Sequence, residues 1–174
     1  LGLALFPCVL LFSLYYLYRN IDDLETTLHR NVVVLSSKKE QIDYAHHAQT
    51  AFGLQIQEWK DILLRGHDAQ EMKSYWRSFL LHEASVRESL ETMHSLALNA
   101  RENLKAAELK SILDSHQNIG KQYRDALSRY SLSQNSSATF QIDRTVSSVD
   151  RSFAAQLAHI TEDAEQEYKG LSAR

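Results

Sequence analysis

Apolar residues along this chain recur at steps of three and four, the spacing that gathers side chains on one face of an α-helix. From Ile21 to Arg65 the stripe is Leu24, Leu28, Leu35, Ile42, Ala45, Phe52, Ile56, Trp59 and Leu63. At 1.5 Å per residue the stretch predicts one helix of roughly 65 Å. The segment Arg65-Gly66-His67-Asp68 then stops the pattern. Gly66 suits the left-handed conformation that closes a helix, and Asp68 suits the cap of the next one.

A second helix is predicted from Ala69 to about Leu98, with Met72, Trp76, Phe79, Glu83, Val86, Leu90, Met93 and Ala97 inward. Glu83 is the one charge on that stripe. A softer break near Asn99 to Asn103 leads to a third helix ending at about Tyr130. Its inward residues are Leu109, Ile112, His116, Ile119, Tyr123, Leu127 and Tyr130. The polar stretch Ser131 to Thr139 reads as a loop. A fourth helix is expected over about Phe140 to Ala173, striped by Ile142, Val146, Val149, Phe153, Leu157, Ile160, Ala164 and Leu171. Four helices with short connections pack up-down-up-down.

The first residues change that picture. Residues 1 to about 18, LGLALFPCVLLFSLYYLY, carry no charge. Tyr15, Tyr16 and Tyr18 lie where the run meets Arg19, and aromatic rings favour the membrane interface. A span needs about 20 apolar residues. The chain opens on Leu1 rather than Met and reads as an excerpt whose missing start supplies the rest. Pro7 is tolerated inside a membrane helix. No small-x-small site follows the run, which favours an anchor over a cleaved signal peptide. The expected fold is therefore all-α: a transmembrane helix over 1–19 continuing into an antiparallel up-down-up-down four-helix bundle over 20–174. In that topology the fourth helix ends where the first begins, so a second span is expected just after Arg174.

Composition agrees. Five Gly and one Pro in 174 residues leave few turns for a sheet. The net charge of −3 is mixed in sign with no basic face, so no nucleic-acid partner is expected. Cys8, the single cysteine, sits in the apolar run as a small filler, with no disulfide partner.

Two stretches resemble a known family. Gln55 to Gly66, QIQEWKDILLRG, is similar to the Gln-x-Gln-Glu-Trp-Lys-Asn-x-Leu-Leu-Arg-Gly pattern in periplasmic sensor domains of bacterial methyl-accepting chemotaxis receptors, with Asp61 in place of Asn. Tyr75, Trp76, Phe79 and Glu83 fit the same likeness. His116 to Tyr130, HQNIGKQYRDALSRY, with Val149-Asp150-Arg151, resembles a second pattern of that family. Between them SLSQNSSAT stands where the family has a Gly- and Pro-containing loop. Similar sensors occur on histidine kinases and diguanylate cyclases, so the resemblance implies an input domain more firmly than a particular output.

Candidate chemistry is sparse. There is no phosphate loop, nucleophile elbow or Glu-x-x-His pair, and no catalytic residue is assigned. Eight histidines invite a metal, but His46 and His47 face apart, and His82 and His94 are twelve positions apart. No metal or cofactor is therefore expected. His116 reads first as a core histidine; a pocket donor, a pH-sensitive group or a non-covalent haem ligand are its functional alternatives. Trp59, Trp76 and Phe79 flank the first break, either as packing or as an aromatic pocket where Lys60, Arg65 and Arg77 meet an anion. Tyr123 and Arg124, with Asp143, Arg144, Asp150 and Arg151, lie along a seam where interhelical ion pairs are the plainer reading. The candidate ligand-binding residues are thus Trp59, Lys60, Arg65, Trp76, Arg77, His116, Tyr123 and Arg124.

These observations imply the sensor domain of a chemoreceptor in the bacterial inner membrane, with residues 20–174 in the periplasm or outside the cell. Expected partners are a second copy, paired through the first helices, and a small-molecule ligand or a periplasmic binding protein. Two alternatives stay open: the same input domain on a kinase or cyclase, and a membrane-anchored coiled-coil tether with no ligand. Asn31, Lys38, Gln49, Glu83 and His116 interrupt the seams, which favours a bundle with polar interior sites over the tether.

Overall fold

The computed structural model describes the backbone of residues 5–130 and 136–173, and the side chains of residues 12, 14–129 and 140–173. It contains four helices, α1 (Leu5–Arg65), α2 (Ala69–Asn99), α3 (Asn103–Tyr130) and α4 (Ser136–Ser172), and no strand among the described residues. α1 packs on α2 and α4, and α3 packs on the same two. The bundle is therefore a square in which sequence neighbours are spatial neighbours.

Local chemistry sets the turns. The Asp68 carboxylate accepts from the backbone N–H groups of Gln70 and Glu71 at 2.8 and 2.9 Å, as an N-cap should. Those two bonds hold its pKa below the ordinary value. Gly66 is needed for a different reason than the sequence suggests. No described glycine has a positive φ. Instead the Gly66 N–H donates to the Ile62 carbonyl at 2.8 Å, and an added Cβ would collide with that oxygen.

The left-handed residue is Arg101, at φ 60° in the α2–α3 turn. Around it the Glu102 N–H reaches the Ala97 carbonyl at 2.8 Å and the Arg101 N–H reaches Leu98 at 3.0 Å. That paired pattern is a Schellman close, built here without glycine.

Most inward stripes are buried as expected. Ala45, Phe52 and Trp59 of α1, Phe79, Val86 and Leu90 of α2, Leu109, Ile119 and Tyr123 of α3, and Val146, Phe153 and Leu157 of α4 form one core. Each large apolar side chain taken from water contributes about 1.5–3 kcal/mol.

Three expectations change. Leu24 and Leu28 are exposed, because α1 has 61 residues against 31 in α2 and runs on past its partners. Every described α1 side chain from residue 14 to 34 is exposed. The expected loop at 131–139 lies outside the described residues over 131–135, and its remainder is the first turn of α4. Ser136, Ser137, Ala138 and Thr139 are residue types a first turn accepts, so polar composition alone did not mark a loop. Finally, among the described residues no helix is long and apolar enough to cross a membrane. The proposed span over 1–19 begins outside the described residues, and the part from Leu5 to Tyr18 is short before Arg19, Asp22 and Asp23 follow.

Candidate functional site

Polar groups interrupt the core at several levels. Nearest the α1–α2 turn is an aromatic cluster. The ring of Tyr123 meets Trp59 edge-on at 5.0 Å and Phe79 at 4.8 Å, and Trp76 stacks on Phe79 at 4.9 Å. Tyr123 thus packs among the rings considered for an aromatic pocket. The Tyr123 hydroxyl donates to Asp150 Oδ1 at 2.7 Å, linking α3 to α4.

Burial drives the Asp150 carboxyl up to about 6; the Tyr123 hydroxyl and Lys60 oppose this, and Asp143 adds to it. Burial, with Asp150 beside it, also pushes the Tyr123 hydroxyl up. The indole N–H of Trp59 is buried without a partner among the described residues.

Two turns earlier on α3, the His116 ring lies almost flat on Phe153 at 5.3 Å and edge-on to Phe52 at 6.5 Å. Its Nε2 makes a long contact of 3.4 Å with Gln55 Oε1, and the Gln55 amide nitrogen behind it is buried without a partner. Burial, then the charges of Arg87 and Arg124, lower the His116 pKa to about 4. The imidazole is therefore neutral at physiological pH. This is the core histidine expected from the stripe, held at the edge of a groove.

Between these levels Arg124 donates through both terminal nitrogens to Glu83, at 3.0 and 2.5 Å. The pair bridges α3 to α2, not to the acids of α4 that share its seam in sequence. Gly120 makes the arrangement fit: an added Cβ would collide with Glu83 Oε1 and Arg124 Nη1.

Two grooves flank this interior. One, of about 540 Å³ between α2 and α3, is lined by Glu83, Arg87, Lys110, His116, Lys121 and Arg124 among others. The other, of about 450 Å³ between α1 and α4, holds Lys60, Asp143, Ser147, Asp150 and Arg151.

The eight candidates thus separate. His116 and Arg124 share the first groove, Lys60 joins the second, and Trp59 and Tyr123 lie in the core between them. Trp76 is half-buried. Arg65 turns to the Tyr75 hydroxyl at 3.4 Å and to Asp61 at 3.6 Å, and exposed Arg77 lines neither groove. Sequence reasoning passed over Arg87, Lys121 and Gln55. Gln55 was within reach, since it stands three residues after Phe52 and four before Trp59, at core spacing.

At the other end of the bundle Lys38 is buried between Glu102 and Glu167, 2.6 Å from each, and Lys105 reaches Glu167 at 2.9 Å. The α2–α3 turn, α1, α3 and α4 meet in this one network.

No protein-family model matches the chain, and no solved structure does. A curated protein does match. Over 119 residues the chain is 27% identical to the methyl-accepting chemotaxis protein CtpH of Pseudomonas aeruginosa. This chain is a distant homologue of a methyl-accepting chemotaxis protein. The matched stretch is 68% of this chain and 20% of the relative, so the chain spans about a fifth of that protein. The four-helix fold agrees with a sensor bundle.

Proposed function

We propose that this chain is the ligand-sensing input domain of a bacterial transmembrane chemoreceptor. The likeness to a methyl-accepting chemotaxis protein carries the reading. Two features of the fold support it. α1 extends beyond the bundle as a bare stem with Leu24, Leu28, Val32 and Val33 exposed. α4 runs back to the level where that stem leaves the bundle, since Glu167 touches Lys38.

In this reading residues 1–19 belong to a membrane anchor in the inner membrane. The bundle stands in the periplasm or outside the cell, and a second span follows residue 174. Two copies pair through the bare stems, which buries their apolar face. A small molecule, or a periplasmic binding protein carrying one, binds unequally to two arrangements of the helices and shifts α4 by one or two ångström. The domain does no chemistry of its own, and nucleic acid is not a partner. Attachment of the same input domain to a kinase or cyclase would leave this sensing step unchanged.

The test is a hybrid receptor in which the chain replaces the sensor of a chemoreceptor with a measurable kinase output. Dose-dependent change of kinase activity with a screened small molecule is the expected result. A hybrid that assembles, signals constitutively and responds to nothing in a broad metabolite screen would favour the tether instead.

A further inference from the structure

The α2–α3 groove has a surplus of positive charge above a buried imidazole. Its acids are all engaged: Glu83 by Arg124, Asp114 by Lys110, and Glu91 by Arg87. Four cations line the groove against those three acids, and Lys121 is the one left over, with no ion pair among the described residues. The Arg87–Glu91 contact is loose, 3.9 Å from Nε, so both terminal nitrogens of Arg87 are free to meet two oxygens.

His116 lies at the floor, with 3% of its surface exposed and only the 3.4 Å contact to Gln55 behind it. The charges felt most at that ring are those of Arg87 and Arg124. Half-buried Leu113 and the methylene stems of Arg87, Lys110 and Lys121 add apolar wall beside the charges. A volume of about 540 Å³ suits a small ligand.

We propose that this groove binds a small organic carboxylate, with Arg87 and Lys121 meeting its charge from either wall and the His116 ring closing the floor beneath it. The inference rests on the sensor reading and deepens it by naming a site and a ligand class. Arg87 stands on α2, and Lys121 and His116 on α3, so the ligand ties these two helices together. α3 also carries Tyr123, whose hydroxyl holds Asp150 of α4. A movement of α3 against α2 therefore reaches α4 through one buried hydrogen bond.

The experiment is calorimetric titration of the full chain with acetate, succinate and benzoate, and separately with inorganic phosphate, followed by ring-nitrogen NMR of His116. At least one carboxylate should bind once per chain and move the His116 signals. Its affinity should fall at least tenfold in the Arg87→Gln, Lys121→Gln double variant and hold in Lys73→Gln. Both altered positions are exposed, so the fold stays intact. Absence of binding by all three carboxylates, or binding unmoved by the double variant, overturns the site. Phosphate binding as tight as the best carboxylate overturns the ligand class. A hybrid receptor that responds to some other compound, equally with and without the double variant, sinks this inference while leaving the sensor reading in place.

Discussion

Lys38 and Asp150 both place an ionisable group inside the bundle, each 7% exposed, and the protein treats them in opposite ways. Lys38 bonds two carboxylates, Glu102 and Glu167. Burial works against its charge, but those bonds outweigh it and its pKa is raised. Burial likewise opposes the Glu167 charge, and the bonds from Lys38 and Lys105 outweigh it, so the Glu167 pKa is lowered. Asp150 has a neutral hydroxyl as its hydrogen-bond partner, and its carboxyl is driven toward the protonated form. A buried charge stays charged only where its partners replace the water it lost. The stem end of the bundle is thus clamped by matched charge. The far end keeps a carboxyl and an imidazole that burial pushes toward their neutral forms.

Four substitutions probe that contrast, from the largest effect to the smallest. Lys38→Ala should cost about 3 kcal/mol in urea unfolding, because two acids lose the cation between them. A loss below about 0.5 kcal/mol would show the network to be ordinary surface pairing.

Asp150→Asn should do the reverse and stabilise the chain by about 2 kcal/mol at pH 7. The Asp150 pKa is raised to about 6 in the fold, so its stabilising contribution is complete at pH 4 and lost as the pH rises through 6. The gain from Asn should therefore vanish near pH 4. His116 has the opposite sign. Its pKa is lowered to about 4, so its contribution is present above its ordinary 6.5 and is lost as the pH falls through 4. Thermal melts from pH 7 down to 5 should destabilise Asp150→Asn more than the parent, in which the two groups offset each other. A variant less stable than the parent at pH 7 would refute the assignment of Asp150 as a buried charge without a counter-ion.

Arg101→Gly, at the clamped end, should stabilise by about 1 kcal/mol, since glycine takes the left-handed conformation without a Cβ penalty. Thermal denaturation reads this directly, and no gain would mean the arginine side chain contributes there.

Gly120→Ala, at the soft end, should gain less than about 0.5 kcal/mol. The usual helix benefit of about 1 kcal/mol is offset by displacement of the Glu83–Arg124 pair. In a Glu83→Ala background, which removes the colliding side chain and frees Arg124 to move, the full benefit should return, and a double-mutant cycle by chemical denaturation measures the difference.

Much of the helical plan was legible in advance. The breaks at Gly66–Asp68 and near Arg101 fall between α1, α2 and α3, and the stripes of α2, α3 and α4 point inward nearly throughout. His116 and Tyr123 were readable as interior because they stand at core spacing among Ile112, Ile119 and Ala126. Arg87 and Lys121 were not, because one exposed cation looks like any other until the opposing helix is in place. Arg124 was grouped with Asp143 and Asp150 in the sequence, and only the packing paired it with Glu83.

The sequence by itself determined what each backbone segment becomes. Periodicity, the Asp68 cap and the scarcity of Gly and Pro act between residues a few positions apart, so they are written in the local order. The tertiary structure alone decided which of those surfaces has a partner. It left Leu24 and Leu28 bare where α1 outruns its neighbours. It set Glu83 and Arg124 across Gly120, and it gave Lys38 two acids while Asp150 received a hydroxyl. Those choices depend on which distant atoms arrive within 3 Å of one another, and a pattern of three- and four-residue steps carries no such information.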